Sequence, residues 1–491
     1  MPIKGVLLLA FLGLTVASFG LYFSREHTVS GAPIVYMTGS PGPDGQEMVR
    51  RFREWLAKEN LSDVDLRIDA SNSDPSKVVI QGISGIGADL IPSNLGPDLR
   101  YLKAMGLLTD LTDVAEHGGF GPKTFASVAQ VETGIDGRQF AYPTLLYVLM
   151  NYANLDTFAL LDLPPPPPQM SFDEFEALGK QFVEKANPPG QKRRRFFCNA
   201  VSPLTMRRSL GLDTFNETLT QCTLDDPRNI RVLSLIHQWT YDVRLLPSAT
   251  DMASFASDGS TASSFGPRLY QFAQGNIAII AGGSYLTNSL RKLGNLRLAV
   301  LEPPNGGFPN AVFGAAMLAL YAGSPNPEAA MRYLRFLASP EYSTQLIASG
   351  QGIPANLTMA RHPDFLHPPD HPNEWGCNER FVDAIETIGI PYTPSPFVLY
   401  SVYHRISEEA FERFMADRCT AEEAARRAAD GINAEIARTL EEQPELKERH
   451  EVLTARQREI DARRSRGEKV PLAWIENPFH RLYYQAQGWI E

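Results

Sequence analysis

Cysteine and concentrated positive charge are both scarce in this chain of 491 residues. It has four cysteines, and no two of them have the CxxC spacing of a zinc ribbon or a thioredoxin-like redox motif. The formal net charge is −10, and the basic run Lys192–Arg195 is short enough to be a solvated loop. We therefore expect no zinc ribbon and no nucleic-acid partner.

Motifs of catalysis are also missing. There is no GxSxG sequence, because Gly82–Ile86 lacks the final glycine, and there is no P-loop. Gly85–Gly87 matches only the start of a dinucleotide-binding fingerprint, and no second histidine follows His450 at the spacing of a zinc protease. The sequence thus predicts a protein that is not an enzyme and needs no cofactor. An exported hydrolase of unrecognised type is the least favoured alternative.

The best candidates for metal ligands are three histidines in one proline-rich stretch. His362, His367 and His371 lie close to Asp364 and Asp370 in the sequence, and imidazoles and carboxylates can bind zinc. Prolines interrupt this stretch repeatedly, which favours a solvated loop over a metal site. We predict no metal here.

The cysteines allow disulfides if the protein lies outside the cytoplasm. Local pairing would join Cys198 to Cys222 and Cys377 to Cys419, but four cysteines permit three connectivities. Each such loop would stabilise the fold by about 3–4 kcal/mol. The sequence leaves the disulfide state open.

The N-terminal segment is an uncharged and mostly apolar stretch. Gly5–Ser24 has twenty residues without a charge, and as a helix it would be about 30 Å long, the thickness of a hydrocarbon core. We predict an extracytoplasmic protein held at the membrane by this uncleaved helix, with a spacer reaching residue 32. A cleavable signal ending near Thr15–Ala17 is the alternative.

The body of the chain alternates between predicted strands and helices. Pro33–Met37 has the pattern of a buried strand, and Phe52 and Trp55 share one face of the amphipathic helix that follows. Leu99–Met105 is a later helix that stops at a glycine. This alternation predicts an α/β fold with a mostly parallel sheet.

Two helix starts are marked by capping boxes. Pro164–Pro168 must be extended, and Ser171–Glu174 then has the sequence of a capping box that opens a helix. Thr420–Glu423 begins a second helix in the same way. These patterns fix helix boundaries on both sides of the middle of the chain.

The C-terminal extension, residues 441–491, differs in composition from the rest. Glu441–Lys469 is dense in charge, which predicts an exposed helix, and residues 470–491 concentrate aromatic side chains. Because such a cluster is unfavourable in water, we expect it to pack against the chain's own body. A membrane partner or the bilayer interface is the alternative. The aromatic residues are Trp474, Phe479, Tyr483, Tyr484 and Trp489.

The segment Gly137–Asn154 resembles the first interlobe crossing of the family 1 extracellular solute-binding proteins, which include the maltodextrin-binding proteins. Ala141, Tyr142 and Pro143 match the family's Ala-Tyr-Pro, and Asn154 matches its later asparagine at equal spacing. The Pro-rich run and capping box follow, as in the family. Three more segments then resemble family segments in the right order: Phe272–Tyr285, Pro327–Pro354 and Thr420–Ile436.

The resemblance implies a two-lobe periplasmic-binding-protein-like α/β fold with the ligand in an interlobe cleft. It places lobe 1 at 33–145 with 300–339 and lobe 2 at 146–299 with 340–440. It also implies a function: the substrate-binding component of an ABC importer, which captures a small solute by lobe closure and presents it to the permease. The expected solute is a carbohydrate. A membrane-anchored envelope scaffold or sensor that binds a protein partner is the alternative function.

The resemblance also implies ligand-binding positions. Tyr285 replaces the usual cleft tryptophan, and Ser93 stands where maltodextrin binders have a stacking tryptophan, so maltose specificity is not implied. Tyr147 and Phe397 have core packing as an alternative role, and Ser40 and Asn94 have turn formation. The positions implied to contact ligand are Ser40, Ser93, Asn94, Tyr147, Tyr285, Phe397 and Tyr400.

Overall fold

The computed structural model describes residues 31–39, 42–69, 75–93, 96–135, 137–190, 193–257, 266–393 and 395–491. The strands are β1 (Ile34–Thr38), β2 (Asp65–Asp69), β3 (Leu90–Ser93), β4 (Gly134–Ile135), β5 (Arg138–Gln139), β6 (Ala141–Val148), β7 (Met150–Asn154), β8 (Phe196–Cys198), β9 (Ile277–Gly282), β10 (Leu298–Leu301), β11 (Ala311–Leu320) and β12 (Gly389–Pro391).

Helices occupy much of the remaining chain. They are α1 (Pro43–Lys58), α2 (Pro75–Ile83), α3 (Gly96–Ala104), α4 (Thr112–Gly118), α5 (Gln130–Thr133), α6 (Leu155–Leu160), α7 (Phe172–Ala186), α8 (Pro203–Ser209), α9 (Pro227–Tyr241), α10 (Ala249–Ser257), α11 (Pro267–Ala273), α12 (Thr287–Arg291), α13 (Pro327–Leu337), α14 (Pro340–Ser349), α15 (Leu357–Ala360), α16 (Pro363–Leu366), α17 (Cys377–Thr387), α18 (Tyr400–Met415), α19 (Ala421–Glu442), α20 (Glu445–Ser465) and α21 (Pro478–Ala486). Short 3₁₀ turns lie at Pro122–Thr124, Ser127–Ala129, Ser284–Leu286, Pro372–Glu374 and Leu472–Trp474.

Both predicted capping boxes are present. The Ser171 hydroxyl accepts a hydrogen bond from the Glu174 amide at 3.2 Å, and the Glu174 carboxylate accepts one from the Ser171 amide at 2.8 Å. Thr420 and Glu423 make the same reciprocal pair at the start of α19. Each box satisfies amide donors that a helix start otherwise leaves without partners. Pro164–Pro168 has no helix or strand, as predicted.

The chain packs into two compact units. One contains the described residues up to Ile91 together with Leu320–Phe336, and the other contains Pro92–Ala319 with Leu337–Glu491. We refer to them as the first and the second unit. The predicted lobe limits, 33–145 with 300–339 and 146–299 with 340–440, stay a prediction.

The first unit is a small parallel α/β layer. Strand β1 pairs in parallel with β2 over five positions, and Met37 of β1 also pairs with Leu90. On α1, Phe52 contacts Tyr333 and Phe336 of α13, with ring centroids 5.0 and 5.6 Å apart. The parallel layer predicted from the alternating pattern is therefore confirmed in this unit.

The second unit contains a four-stranded sheet in the order β10–β7–β9–β8. Strand β7 is antiparallel to β9 and β10, and β8 is parallel to β9. Strand β11 pairs with β6 in antiparallel fashion and with β12 in parallel. Trp239 anchors the adjoining core, where its ring lies 5.0 Å from Phe175, and Phe175 lies 5.0 Å from Phe197.

The C-terminal extension belongs to the second unit and packs on the rest of it, as predicted from the sequence. Helix α20 is exposed along most of its length, but Leu453 and Ile460 are buried. Asn477 donates its side-chain amide to the Phe215 carbonyl at 3.0 Å, and the Tyr484 hydroxyl donates to the Glu217 carboxylate. The aromatic cluster therefore packs on the segment around Phe215 of the same chain.

The four cysteines are free, so none of the possible disulfides is formed. Cys198, Cys222 and Cys377 are buried, and burial raises the pKa of each thiol to about 12. At neutral pH these three cysteines are protonated, and they behave as small apolar core residues.

The N-terminal anchor prediction concerns Gly5–Ser24, which lies outside the described residues. Among the helices that the structure does describe, none combines the length and the apolar character needed to cross a membrane.

Candidate functional site

The expected ligand-binding positions have different environments. Ser40 and Asn94 lie outside the described residues, and Ser93 is buried at the end of β3. Phe397 has no exposed surface and packs against His450 with ring centroids 4.8 Å apart. Phe397 therefore has the core-packing role that was its alternative in the sequence analysis. Tyr147, Tyr285 and Tyr400 remain as accessible candidates for ligand binding.

Tyr147 and Tyr285 form the first aromatic pair of the site. Tyr147 lies on β6 and Tyr285 lies in the 3₁₀ turn after β9; their ring centroids are 6.0 Å apart and the rings meet edge to face at 83°. Tyr285 is 39% exposed, whereas Tyr147 is half-buried. The pair thus presents one accessible ring supported by a more fixed one.

A glycine on the neighbouring strand makes room for Tyr147. In the β6–β11 register Gly314 stands opposite Tyr147, and a Cβ at Gly314 would lie 2.3 Å from the Tyr147 ring. Real atoms never approach so closely, so any side chain at this position would displace the ring. The orientation of Tyr147 therefore depends on Gly314.

A second aromatic pair completes what we call the tyrosine patch: Tyr147, Tyr285, Tyr392 and Tyr400. The rings of Tyr392 and Tyr400 are 5.7 Å apart at 72°. Burial raises the pKa of Tyr147 and of Tyr400, and electrostatic repulsion among the neighbouring phenols raises the pKa of each further. The raised pKa values keep the phenols of Tyr147, Tyr392 and Tyr400 protonated at neutral pH. A phenol hydroxyl can donate one hydrogen bond and accept others.

A buried glutamate lies close to this patch. The Glu132 carboxylate accepts a hydrogen bond from the Gly96 amide at 2.6 Å, and only 2% of the residue is exposed. Burial raises the pKa of Glu132 to about 7, against the opposing effects of that amide and of Arg100. Burial therefore favours the protonated carboxyl of Glu132 far more than that of an exposed glutamate. The Glu132 carboxyl also adds to the raised pKa of Tyr147.

Sequence reasoning missed both Glu132 and Tyr392. Glu132 lies on the one-turn helix α5, and no motif or periodicity marks it. Tyr392 follows β12, eight positions before Tyr400, and no motif marks it. Their proximity to Tyr147 depends on strand pairing across the chain, which no local pattern reveals.

The histidines of the proline-rich stretch have structural partners. At the start of α16, Nδ1 of His362 accepts a hydrogen bond from the Asp364 amide at 3.2 Å. Nε2 of His367 lies 2.9 Å from a carboxylate oxygen of Glu379. Over the part of the chain that the structure describes, no three His, Cys, Asp or Glu side chains come together as a metal site.

One protein-family model matches this chain. The model of the bacterial extracellular solute-binding protein family matches residues 56–373. A search of curated protein sequences found no match.

Several solved structures share the fold at low sequence identity. An ABC substrate-binding protein from Listeria monocytogenes, in complex with cycloalternan, is 21% identical with a TM-score of 0.68, covering 83% of this chain and 99% of its own. A solute-binding protein from Thermotoga lettingae, bound with α-D-tagatose, is 15% identical with a TM-score of 0.65, covering 83% and 100%. UgpB from Mycobacterium tuberculosis, in complex with glycerophosphocholine, is 15% identical with a TM-score of 0.66, covering 84% and 100%.

The matches confirm the predicted fold class, a two-lobe α/β fold of the periplasmic-binding-protein type. The family model covers well over half of the chain, including the segments Gly137–Asn154, Phe272–Tyr285 and Pro327–Pro354. This chain belongs to the bacterial extracellular solute-binding protein family.

Proposed function

We propose that the protein binds a carbohydrate at the tyrosine patch and delivers it to the permease of an ABC importer. The observation that carries this proposal is the presence of two tyrosine pairs, from three separate segments of the sequence, in one unit of a solute-binding protein. Tyr392 and Tyr400 lie close enough to Tyr147 to raise its pKa. Structural neighbours in complex with cycloalternan and α-D-tagatose support a carbohydrate as the solute.

The chemistry of the patch suits a sugar. Aromatic faces cover the apolar C–H faces of a pyranose ring, while phenol hydroxyls satisfy its hydroxyl groups. A micromolar affinity needs about −8 kcal/mol, which a few such contacts can supply. Closure of the two lobes on the solute, implied by the family resemblance, belongs to the proposal. Contacts made only in the closed state would increase the population of that state.

The location and mode of action follow from the same proposal. We place the protein outside the cytoplasm, because its family consists of extracellular solute-binding proteins. We also propose that Gly5–Ser24 holds it at the membrane. It acts by binding alone, without a catalytic step or a cofactor. An uncleaved anchor would keep the solute-loaded protein close to its permease.

Replacing Tyr285 with alanine tests the patch directly. Y285A should weaken binding of the preferred carbohydrate by about 1.5–3 kcal/mol, or about tenfold to a hundredfold, because it removes the accessible ring of the patch. The measurement is isothermal titration calorimetry, after a thermal-shift screen of mono- and oligosaccharides has identified the ligand.

Tyr270 offers a matched control. It belongs to α11 of the same unit and is 37% exposed, nearly the same as Tyr285. Y270A should leave the affinity unchanged. Equal affinities for Y285A and Y270A would exclude the tyrosine patch as the binding surface.

A further inference from the structure

A cavity of about 190 Å³ adjoins the tyrosine patch within the second unit. Tyr392 and Tyr400 line both the patch and the cavity, which continues among helices α8, α9, α18 and α19. A solute lying on the patch could therefore extend one of its groups into this space. The polar residues of the cavity decide which group would fit.

Two adjacent arginines line the cavity, and one of them is fully paired. Arg208 is completely buried and donates to both carboxylate oxygens of Asp213, at 3.1 and 3.3 Å. It also donates to the carbonyls of Ile390 and Pro391 and to the Thr393 hydroxyl. The charges of Arg208 and Asp213 therefore cancel each other.

Arg207 has no such compensation. Its Nη2 donates to the Thr214 hydroxyl at 2.8 Å, while its buried Nε has no hydrogen-bond partner. No carboxylate in the described ranges lies within ion-pair distance of Arg207. The Asp213 carboxylate, which acts on Arg207 electrostatically, is bound to Arg208. Burial lowers the pKa of Arg207, yet a guanidinium stays charged at neutral pH. The cavity thus holds one positive charge without a counterion.

Other groups in the cavity suit the rest of a sugar derivative. The Asn229 side-chain oxygen is buried without a partner and could accept a hydrogen bond from a solute hydroxyl. Glu408 also lines the cavity, but it is exposed and belongs to the rim. An unpaired charge in a partly desolvated place is costly, and an anionic group on the ligand would remove that cost.

We propose that the solute is an acidic sugar derivative whose carboxylate or phosphate pairs with Arg207 while its ring lies on the tyrosine patch. This inference rests on the proposed function and narrows its solute class. A guanidinium matches the planar geometry of a carboxylate or the oxygens of a phosphate through two parallel hydrogen bonds. The neighbouring hydroxyl and amide groups would then bind the neutral part.

The experiment compares acidic and neutral ligands by calorimetry. The probes are hexuronates, hexose phosphates and the matching neutral hexoses, each as mono- and disaccharides, titrated into the full-length protein. We expect the wild type to prefer an acidic probe, and the two acidic sets show whether carboxylate or phosphate is the favoured group. R207Q should weaken that binding about tenfold to a hundredfold by removing the charge.

Arg405 supplies the control for charge alone. It lies on α18 in an exposed ion pair with Glu409, so R405Q removes one positive charge from the same unit without touching the cavity. R405Q should bind the acidic probe as the wild type does. The melting temperature of R207Q shows whether it is folded, and the acidic-over-neutral preference of the wild type tests the proposal without any variant.

The outcomes separate the two proposals. Preference of the wild type for neutral sugars, or equal affinity of R207Q and R405Q for the acidic probe, would overturn the acidic ligand and leave the carbohydrate function standing. Failure of every acidic and neutral probe to bind would overturn both.

Discussion

Replacement of Arg208 by methionine is expected to lower the free energy of unfolding by about 3–5 kcal/mol, because it leaves the Asp213 carboxylate buried without its counterion. Both side chains are completely buried or nearly so. Burial by itself would raise the pKa of Asp213, but the charge and hydrogen bonds of Arg208 lower it to about 2. The substitution should also disturb the tyrosine patch, because Arg208 donates hydrogen bonds to the carbonyls of Ile390 and Pro391, which directly precede Tyr392.

Urea unfolding followed by circular dichroism checks the Arg208 prediction, with two comparisons. R405M removes an exposed arginine from its pair with Glu409 and should cost no more than about 0.5 kcal/mol. The double variant R208M/D213L removes both buried charges and should recover much of the stability lost in R208M. Equal losses in R208M and R405M would show that the buried pair does not hold this part of the fold.

Replacement of Glu217 by glutamine is expected to loosen the packing of the C-terminal extension on the rest of the second unit. The Glu217 carboxylate accepts hydrogen bonds from Gln457 at 2.7 Å and from Tyr484, and it pairs with Arg464 at 2.8 Å. Burial opposes its ionisation, but His480, Tyr484 and Arg464 together lower its pKa from the ordinary 4.5 to about 2. At about 1.4 kcal/mol per pH unit, this corresponds to about 3 kcal/mol of stability at neutral pH.

The pH dependence has a defined direction. Because the folded protein lowers the pKa of Glu217, its contribution is complete above about pH 4.5 and is lost as the pH falls toward 2. The fluorescence of Trp474 and Trp489, which lie in the extension, should report its release during urea unfolding. E217Q should unfold this region at lower urea at pH 7 and lose less stability between pH 4.5 and 2 than the wild type.

An exposed glutamate on the same extension provides the control for Glu217. Glu451 lies on α20 with its side chain in solvent, so E451Q should change stability by no more than about 0.5 kcal/mol. If E217Q and E451Q unfold identically at pH 7, the buried carboxylate does not hold the extension in place.

The elements with a strong local pattern were predictable from the sequence. The capping boxes at Ser171 and Thr420 need only residues within one turn of each other, and five consecutive prolines exclude helix and central strand by themselves. The aromatic cluster after residue 470 predicted packing on the body of the chain, because so much apolar surface is unfavourable in water. Its partner segment around Glu217 could not be predicted, since it lies about 260 residues earlier.

The candidate site was predictable only in part. Tyr147 and Tyr285 stand in segments that resemble the family, and the structure brings their rings together. Phe397 belongs to an equally suggestive aromatic segment, yet it is fully buried. The sequence could not show this burial, because residue spacing identifies a helix or strand but not which aromatic residue faces solvent. Glu132 and Arg207 have no sequence signal, since their importance comes from burial and from missing partners in the folded chain.

Native mass spectrometry of the full-length protein with carbohydrate ligands tests the central claim most directly. We expect a one-to-one complex with at least one carbohydrate, present in the wild type and in Y270A and strongly reduced in Y285A. Absence of any carbohydrate complex across neutral and acidic sugars, or undiminished complex in Y285A, would contradict this claim.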